Sequence, residues 1–399
     1  MKKILVIAPS SYPINIAEAI VNAKLLKALH KSEKFEIDLV SQNHKYTHYP
    51  KESIDINIKS INVIETSLKP DFETIYLHAK AFFQFGITFK GIHWAMKALP
   101  IVKKLIRENK YDYVLTKDGA SYVLGYYLKK KYGIKWISTC NDPFPGNKYP
   151  EPYGRGYDAP CTYKERYAIK VIENSDVIVF PSDRLRDYML KYLNVSKDKT
   201  AIIPHVILDK GNVEREINYN DTLKIIHSGN LKAPRDPETF LQALKKLKEE
   251  EPELRMDVSV MGAFDQELSD RIGELGLSDY VKLIPPMKYS DSIEKLKEFD
   301  IALIIEAPCE EGIFLPTKVT DFIQEKIRIL SISPQNGVLN DMYNKGMIEY
   351  FANVEDVDNI YLNLKEIYAS YSSGTLKRIK QTDIYNFTEE AIINQHLNF

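Results

Sequence analysis

The sequence feature that most constrains the fold is a strand–loop–helix–strand pattern in residues 301–334. Its first apolar run, Ile301–Ile305, has the length and β-branched content of a buried parallel strand. An acidic loop follows, a helix begins near Pro316, and a second apolar run occupies residues 327–332. Open α/β sheets bind ligands at the carboxyl ends of their strands, so the acidic loop is a candidate binding site.

The same alternation of strand and helix recurs along the chain and predicts two Rossmann-like α/β domains. Residues 3–8 and 36–41 form the first two strands, with a crossover helix at residues 16–30 between them. This opening lacks G-x-G-x-x-G, so it does not indicate a dinucleotide cofactor. A polar segment precedes the point where the pattern begins again. We therefore predict a first domain over residues 1–208, a linker over 209–221, a second domain over 222–380 and a last helix within 381–399.

Charge is divided unevenly between the two halves of the chain. Residues 1–205 contain 32 Lys and Arg and 21 Asp and Glu, a net charge of +11. Residues 206–399 contain 22 basic and 34 acidic residues, a net charge of −12. This split indicates that the first half meets something anionic, and by charge alone a membrane surface, a lipid-phosphate acceptor and nucleic acid are all candidates. We expect a membrane surface or a lipid-linked acceptor as the partner, and no nucleic acid. Drift in surface charge is the alternative explanation.

A long aromatic stretch lies within the basic half. Residues 72–107 are helical in pattern and combine five aromatic side chains, from Phe82 to Trp94, with lysines. Such a stripe packs into a core or, with its lysines, lies on a bilayer interface. The sequence alone leaves both interpretations open.

Cysteine usage and hydropathy predict a cytoplasmic location. Cys140, Cys161 and Cys309 have neither metal-ligand spacing nor the even number of a disulfide framework. The apolar run at residues 4–8 is too short for a signal peptide, and no stretch approaches the ~20 apolar residues of a membrane span. We expect a cytoplasmic protein that can also lie on the inner face of the membrane.

The acidic loop carries a recognisable motif. Glu311-Gly312, then Leu-Pro-x-Lys318 and Asp321 on the following helix, resembles the donor-sugar signature of retaining glycosyltransferases of the GT-B fold, and of glycosyltransferase family 4 in particular. The resemblance implies that Glu311 faces the sugar and Asp321 the nucleotide ribose. It also implies two domains that face each other across a cleft and a final helix that crosses back to the first domain. The spacing here is longer by two residues, and the second acid is Asp rather than Glu.

A second loop fits the donor's diphosphate. Gly229 and Asn230 follow the strand that opens the second domain, Lys232 and Arg235 come next, and Asp-Pro-Glu at residues 236–238 starts a helix. In the family this loop holds the diphosphate, and here Arg235, Lys232 and helix N–H groups could do so without a metal. Lys318 is a further candidate for this role. We therefore expect no cofactor and no metal. Asp356-Val357-Asp358 has the spacing of a metal-binding D-x-D motif, but its position before a helix predicts a helix cap instead.

Other candidates belong to the sugar and acceptor side. The turn at Asn141-Asp142-Pro143 resembles one that family 4 enzymes place at the floor of the cleft, which implies that Asp142 lies near the transferred sugar. An ordinary Asp-Pro turn is the alternative. The resemblance also places the acceptor side near residues 9–15. The remaining candidates on this side are Tyr12, Asn15, Glu310 and Gly312.

These observations predict a glycosyltransferase that moves a sugar from a nucleotide-sugar donor to a glycan or lipid-linked acceptor, in the synthesis of surface polysaccharide or glycoconjugates. Retention at the anomeric carbon follows from the resemblance alone. Glu311 and Asp142 are the candidate catalytic residues. Two alternatives stay open: a sugar-nucleotide epimerase that uses the same donor site, and a catalytically inactive module that binds a nucleotide or a glycan.

Overall fold

The chain forms two compact units in the computed structural model. The first contains residues 1–149, 154–208 and 386–399, and the second contains residues 150–153 and 209–385. The structure describes residues 1–14, 16–44, 54, 56–58, 60–67, 71–209, 211, 217–219, 221–377, 379 and 382–399. Most of the predicted linker and residue 381 lie outside the described residues.

The first unit is built on a seven-stranded parallel sheet. Its strands are β1 (Lys2–Ile7), β2 (Phe35–His44), β3 (Ser60–Thr66), β4 (Tyr113–Lys117), β5 (Trp136–Thr139), β6 (Val177–Phe180) and β7 (Thr200–Ile202), in the spatial order β3-β2-β1-β4-β5-β6-β7. The helices between them are α1 (Ala17–Lys31), α2 (Phe72–Phe85), α3 (Ile92–Glu108), α4 (Ser121–Tyr132), α5 (Tyr163–Ile172) and α6 (Asp183–Leu190).

The second unit has a six-stranded parallel sheet. Its strands are β8 (Leu223–Ser228), β9 (Met256–Met261), β10 (Val281–Ile284), β11 (Ile301–Ile305), β12 (Arg328–Ser333) and β13 (Tyr350–Asn353), in the order β10-β9-β8-β11-β12-β13. Its helices are α7 (Glu238–Glu250), α8 (Gln266–Glu274), α9 (Tyr289–Lys295), α10 (Thr317–Gln324), α11 (Val338–Asn344) and α12 (Val357–Ser372). The last helix, α13 (Glu389–Asn398), belongs to the first unit and contacts α1.

Each sheet has one point at which the strand order reverses. In the first unit β1 lies beside β4, and in the second unit β8 lies beside β11. The chain winds outward in opposite directions from each pair, which leaves a crevice at the carboxyl ends of the two strands. The residues that follow β1, β4, β8 and β11 are therefore the ones that the fold places for ligand binding.

The predicted α/β class with two Rossmann-like halves is confirmed. The stretch at residues 72–107 is two helices rather than one, because the chain turns at Gly86 and Gly91, which both have positive φ. The last helix begins at Glu389, several residues later than its pattern suggests. The sequence pattern did not identify α5, α11 or β13.

Candidate functional site

Two glycines shape the strand ends of the second unit. Gly229 follows β8 with a φ of +127°, and Gly262 follows β9 with a φ of +144°, values that side chains rarely allow. A Cβ on Gly262 would lie 2.3 Å from the carbonyl oxygen of Gly229, and a Cβ on Gly229 would lie 2.3 Å from Cε of Lys318. The two strand ends and the Lys318 side chain can therefore pack this closely only because both residues are glycines.

Arg235 lies at the same edge of the sheet and is held by an acid and an aromatic ring. Its Nε donates to Glu306 Oε2 at 2.9 Å, and its guanidinium carbon is 5.7 Å from the centre of the Tyr153 ring. The Tyr153 hydroxyl donates to the same Glu306 oxygen at 3.0 Å. Burial lowers the pKa of Arg235, but the carboxylate and the phenol outweigh burial and raise it. The result is a fixed, permanently charged guanidinium at the point where the strand order reverses.

Lys318 brings a second cation to this edge from the first turn of α10. Its Nζ is 3.3 Å from Nε2 of His227, which lies on β8 and is fully buried. Burial, then the charges of Lys318 and Arg235, hold the pKa of His227 well below its usual range. An ammonium group can only donate, so the neutral imidazole accepts from Lys318 at Nε2. Burial and, to a smaller extent, Arg235 lower the pKa of Lys318 to about 8, although Glu306 acts in the opposite direction.

This arrangement predicts a pH-dependent anion site. Because the pKa of Lys318 is lowered to about 8, the affinity for a nucleoside diphosphate is expected to fall by about tenfold as the pH rises from 7 to about 9. Isothermal titration with UDP or GDP across this range measures the change. Lys318→Gln should bind more weakly at pH 7 and lose the dependence. The same slope in the variant would assign the titration to another group.

The candidate residues of the acidic loop differ in their exposure. Glu310 is exposed and Glu311 is half-buried. Gly312 pairs with the segment before α11, because its N–H donates to the Asn336 carbonyl at 2.8 Å and its carbonyl accepts from Val338 at 2.8 Å. These bonds fix the loop's backbone beside Pro334 and Gly337, where Gly312, Cys309 and Phe314 line a small pocket that Tyr153 and Glu306 also border.

Asp321 lies on α10 one turn beyond Lys318 and is half-buried. Its Oδ1 accepts a hydrogen bond from the Tyr289 hydroxyl at 2.6 Å. Burial, followed by this carboxylate, raises the pKa of the Tyr289 phenol far above its ordinary value. The predicted ribose ligand is therefore oriented by a tyrosine that stays protonated.

The other residues of the predicted diphosphate loop have structural partners. Lys232 is exposed and forms an ion pair with Asp265 at 3.2 Å, so it is not a partner of Glu306 as Arg235 is. Asn230 accepts from the Ala263 N–H at 3.2 Å and so joins the two loops after β8 and β9. Of the candidates in this loop, Gly229 lies beside Lys318 of α10, and Arg235 donates a hydrogen bond to Glu306.

The D-x-D triplet has the predicted structural role. Asp356 is the N-cap of α12 and accepts from the Asn359 N–H at 2.9 Å, while Asp358 pairs with Lys246 at 2.9 Å. Within the described residues no group of three His, Cys, Asp or Glu side chains is placed to hold a metal ion.

The crevice of the first unit contains a polar cluster that begins with Glu18. Asn141, which follows β5, donates from Nδ2 to both Glu18 carboxylate oxygens at 2.9 Å. The fully buried Asn22 donates to Glu18 at 3.1 Å and to the Ser10 carbonyl at 2.6 Å. Glu18 thus joins the loop after β1 to the loop after β5.

A second acid faces Glu18 from the end of β4. Asp118 has a φ of +64°, an unusual conformation for a residue with a side chain, and its Oδ2 has no hydrogen-bond partner among the described residues. Burial and the charge of Glu18 raise the pKa of Asp118 to about 7, against the effect of its bonds to Ser10. Lys117 beside it is only 4% exposed, and burial lowers its pKa. Near neutral pH this cluster both donates and accepts, which suits hydroxyl groups better than a phosphate.

The remaining candidates of the first half lie around this cluster. Asp142 is exposed and hydrogen-bonds the Tyr149 hydroxyl, whose pKa is raised by burial and then by this carboxylate. Tyr12 packs partly against the core. His205, nine-tenths buried, shares a small pocket with Lys117 and Asn141. Asn15 lies outside the described residues.

Several important side chains were given no role from the sequence, although Glu306 belongs to the acidic loop that the sequence identifies as a candidate site. Glu306 and Asp118 are the first residues after β11 and β4, so the rule that ligands bind at strand ends could have identified them. The length of the loop at residues 146–158 indicates a functional loop, but nothing distinguishes Tyr153 within it, and His227 carried no local signal. Tyr153 contacts Glu306 from a loop more than 150 residues earlier in the chain. His227 occupies a buried position of strand β8, and the sequence does not distinguish it from the other buried residues of that strand.

Comparisons with known proteins agree with this architecture. The chain matches the solved structure of a glycosyltransferase from Rickettsia africae ESF-5 with a TM-score of 0.65 and 14% identity, covering 100% of this chain and 97% of that chain. Sucrose-phosphate synthase from Thermosynechococcus elongatus matches with a TM-score of 0.64 and 13% identity, covering 100% and 98% of the two chains. Anabaena HepE, in complex with UDP and glucose, matches with a TM-score of 0.63 and 12% identity, covering 100% and 99%.

The fold is that of the GT-B glycosyltransferases. In addition, the model of Glycosyltransferase Family 4 matches residues 19–207, slightly less than half of the chain. This match lies in the first half, where the motifs were less distinct than in the second. None of the curated protein sequences compared with the chain matches it.

Proposed function

We propose that the protein is a glycosyltransferase that moves a sugar from a nucleotide-sugar donor to a glycan or lipid-linked acceptor. The observation that carries the proposal is the pair of cations, Arg235 and Lys318, fixed at the point of the second sheet where ligands bind in such folds. The match to family 4 and the GT-B fold support the same function. Retention at the anomeric carbon is inferred from the likeness to that family.

The second unit would bind the donor. Arg235, Lys318 and the N–H groups at the start of α10, which has no side-chain cap, would stabilise the diphosphate as the sugar–phosphate bond breaks. Asp321 would accept from the ribose hydroxyls. Glu311 would hold the sugar hydroxyls from the loop after β11.

The first unit would bind the acceptor. Asp118, whose pKa is raised to about 7, would orient an acceptor hydroxyl together with Glu18, and Asn141 would fix the position of Glu18. Asp142 would act beside them in sugar positioning. Two carboxylates disfavour an anionic group at this point, so a phosphate of the acceptor would lie elsewhere on the unit.

We further propose that the reaction takes place in the cytoplasm, at the inner face of the membrane, in the synthesis of surface polysaccharide or glycoconjugates. The net charge of +11 in residues 1–205 supports a partner with anionic groups. No helix in the described ranges is long and apolar enough to cross a membrane.

A turnover assay on a panel of nucleotide sugars tests the function. We expect slow release of free sugar and nucleoside diphosphate from one donor, because water replaces the acceptor. An isomerised sugar nucleotide would instead identify an epimerase. Binding with neither product, even after cell-derived glycans and lipid-linked saccharides are added, would identify a binding module.

Activity and UDP binding are expected to survive removal of divalent ions. The diphosphate charge is met by Arg235, Lys318 and helix N–H groups, so no cation is needed to neutralise it. Titration with UDP in the presence of EDTA, and of EDTA followed by excess Mg²⁺, measures this. A loss of affinity that Mg²⁺ restores would show that a metal is part of the site.

A further inference from the structure

Helix α2 is amphipathic in an unusual sense, because its apolar face is exposed. Leu77 and Ala81 are the side chains that it buries against the first unit. On the opposite side of the helix, positions spaced three, four and seven residues apart form one stripe, here called the α2 face. It consists of Phe72, Ile75, Tyr76, Phe82 and Phe83, with Phe72 93% exposed and Phe83 87% exposed.

This concentration of apolar side chains is specific to α2. Five of the twelve exposed large hydrophobic side chains in the described residues lie on this one helix. Surface helices normally turn their apolar stripe to the core, and contiguous exposed apolar patches mark sites of interaction. At a rise of 1.5 Å per residue, the α2 face is about 17 Å long.

Tyrosines and lysines surround the carboxyl end of α2. Phe85 packs edge to face on Tyr127 of α4, with ring centres 6.2 Å apart. Nζ of Lys103 and of Lys131 lie 5.1 and 5.7 Å from the centre of the Tyr127 ring. The Tyr163 hydroxyl, at the start of α5, donates to the carbonyl of Gly86 at 3.4 Å. Lys130, the neighbour of Lys131 on α4, has its Nζ 5.6 Å from the centre of the Tyr126 ring. We call Lys103, Lys130 and Lys131 the basic rim.

The segments that pack beside α2 are mostly basic. Residues 86–107 contain five basic and no acidic residues, and residues 119–135 contain four basic and no acidic residues. The one acid within α2, Glu73, is paired with Lys97 at 2.7 Å. Lys97, Lys104 and Lys129 are in ion pairs, whereas the lysines of the basic rim form none with the described residues. An apolar stripe beside this positive rim is complementary to lipid with anionic headgroups and repels a second copy of itself.

We propose that the α2 face docks the protein on an anionic bilayer, with the Phe and Tyr rings in the interfacial layer and the basic rim on the lipid phosphates. Aromatic rings and lysines of this kind are favoured at the boundary between headgroups and acyl chains. The inference rests on the proposed function only for its purpose, which is to bring the acceptor side to a lipid-linked saccharide.

Co-sedimentation of the full chain with vesicles tests the docking. We expect binding to phosphatidylglycerol-containing vesicles and weak binding to phosphatidylcholine alone. Binding should weaken between 0.1 M and 1 M salt, as the Debye length falls from ~10 to ~3 Å.

The double variant F72S/F83S should lower the vesicle partition coefficient by at least about tenfold, since both side chains are almost fully exposed and are not required by the core. K130Q/K131Q should remove most of the preference for anionic lipid.

Matched controls separate this surface from general effects. L362S removes an exposed apolar side chain of the second unit, and K245Q/K297Q removes two exposed charges there, so both should bind vesicles like the wild type. UDP titration of each variant reports on the donor site independently. Vesicle binding without UDP binding would leave the docking intact and contradict the proposed function. Equal pelleting with both lipids, unchanged pelleting of F72S/F83S, or self-association that F72S/F83S abolishes without any vesicle binding would overturn the docking.

Discussion

Replacing Arg235 with alanine is expected to weaken the binding of UDP or GDP by about 1.5–3 kcal/mol, the range for a hydrogen bond to a charged group. This corresponds to a loss of roughly 10- to 150-fold in affinity. The guanidinium is already positioned by Glu306 and the Tyr153 ring, so little ordering accompanies ligand binding. Isothermal titration of both nucleotides against wild type and variant measures the difference.

Arg271→Ala is the matched control for this prediction. Arg271 is a cation of the same unit that pairs with Glu238 and Glu274 and not with Glu306. Its removal should leave nucleotide affinity unchanged. If Arg235→Ala bound UDP as tightly as Arg271→Ala does, Arg235 would not be a phosphate ligand, and the donor site would need another location.

Gly262→Ala is expected to destabilise the second unit by about 2–4 kcal/mol. A side chain at a φ of +144° costs about 1–3 kcal/mol, and the Cβ would meet backbone, 2.3 Å from the carbonyl oxygen of Gly229, which cannot move aside as a flexible side chain would. The unfolding temperature should fall by about 5–15 °C in a calorimetric scan.

Gly273→Ala provides the control within the same unit. Gly273 is in helix α8, and an added Cβ there meets no atom within 4 Å, so alanine should stabilise the helix by about 0.5–1 kcal/mol. Gly229→Ala should also destabilise the unit, because its φ is +127°, but its Cβ meets the movable end of Lys318 rather than backbone, so this variant should in addition bind UDP more weakly. Equal unfolding temperatures for Gly262→Ala and wild type would contradict the close packing of the two strand ends.

The α/β fold could be predicted from the sequence because buried parallel strands leave a simple pattern. Apolar runs such as Ile301–Ile305 alternate with helical periods, and each strand is the right length to be covered on both faces. The break at Gly86–Gly91 was not predicted, because the aromatic pattern continues across it. A periodic stripe also does not say which face is buried, so the exposure of α2 and the burial of Trp94 in α3 became known only from the structure.

The proposed donor site could be predicted in part. Gly229, Arg235 and Lys318 follow strands or start helices, and strand ends are fixed by local sequence. Their partners are contributed by distant segments: Tyr153 comes from an earlier loop, and His227 is one buried strand residue among several. In the first unit, Glu18 and Asp118 are 100 positions apart and meet because β1 lies beside β4. Neither a motif nor a charge count contains that information.

A crystal structure with UDP bound is the most direct test of the central claim, that a nucleoside diphosphate binds where the order of the second sheet reverses. We predict phosphate oxygens within hydrogen-bond distance of Arg235 and Lys318, beside Gly229, and the ribose near Asp321. UDP bound elsewhere, or an Arg235–Glu306 pair and a Lys318–His227 contact that the nucleotide leaves untouched, would contradict the account.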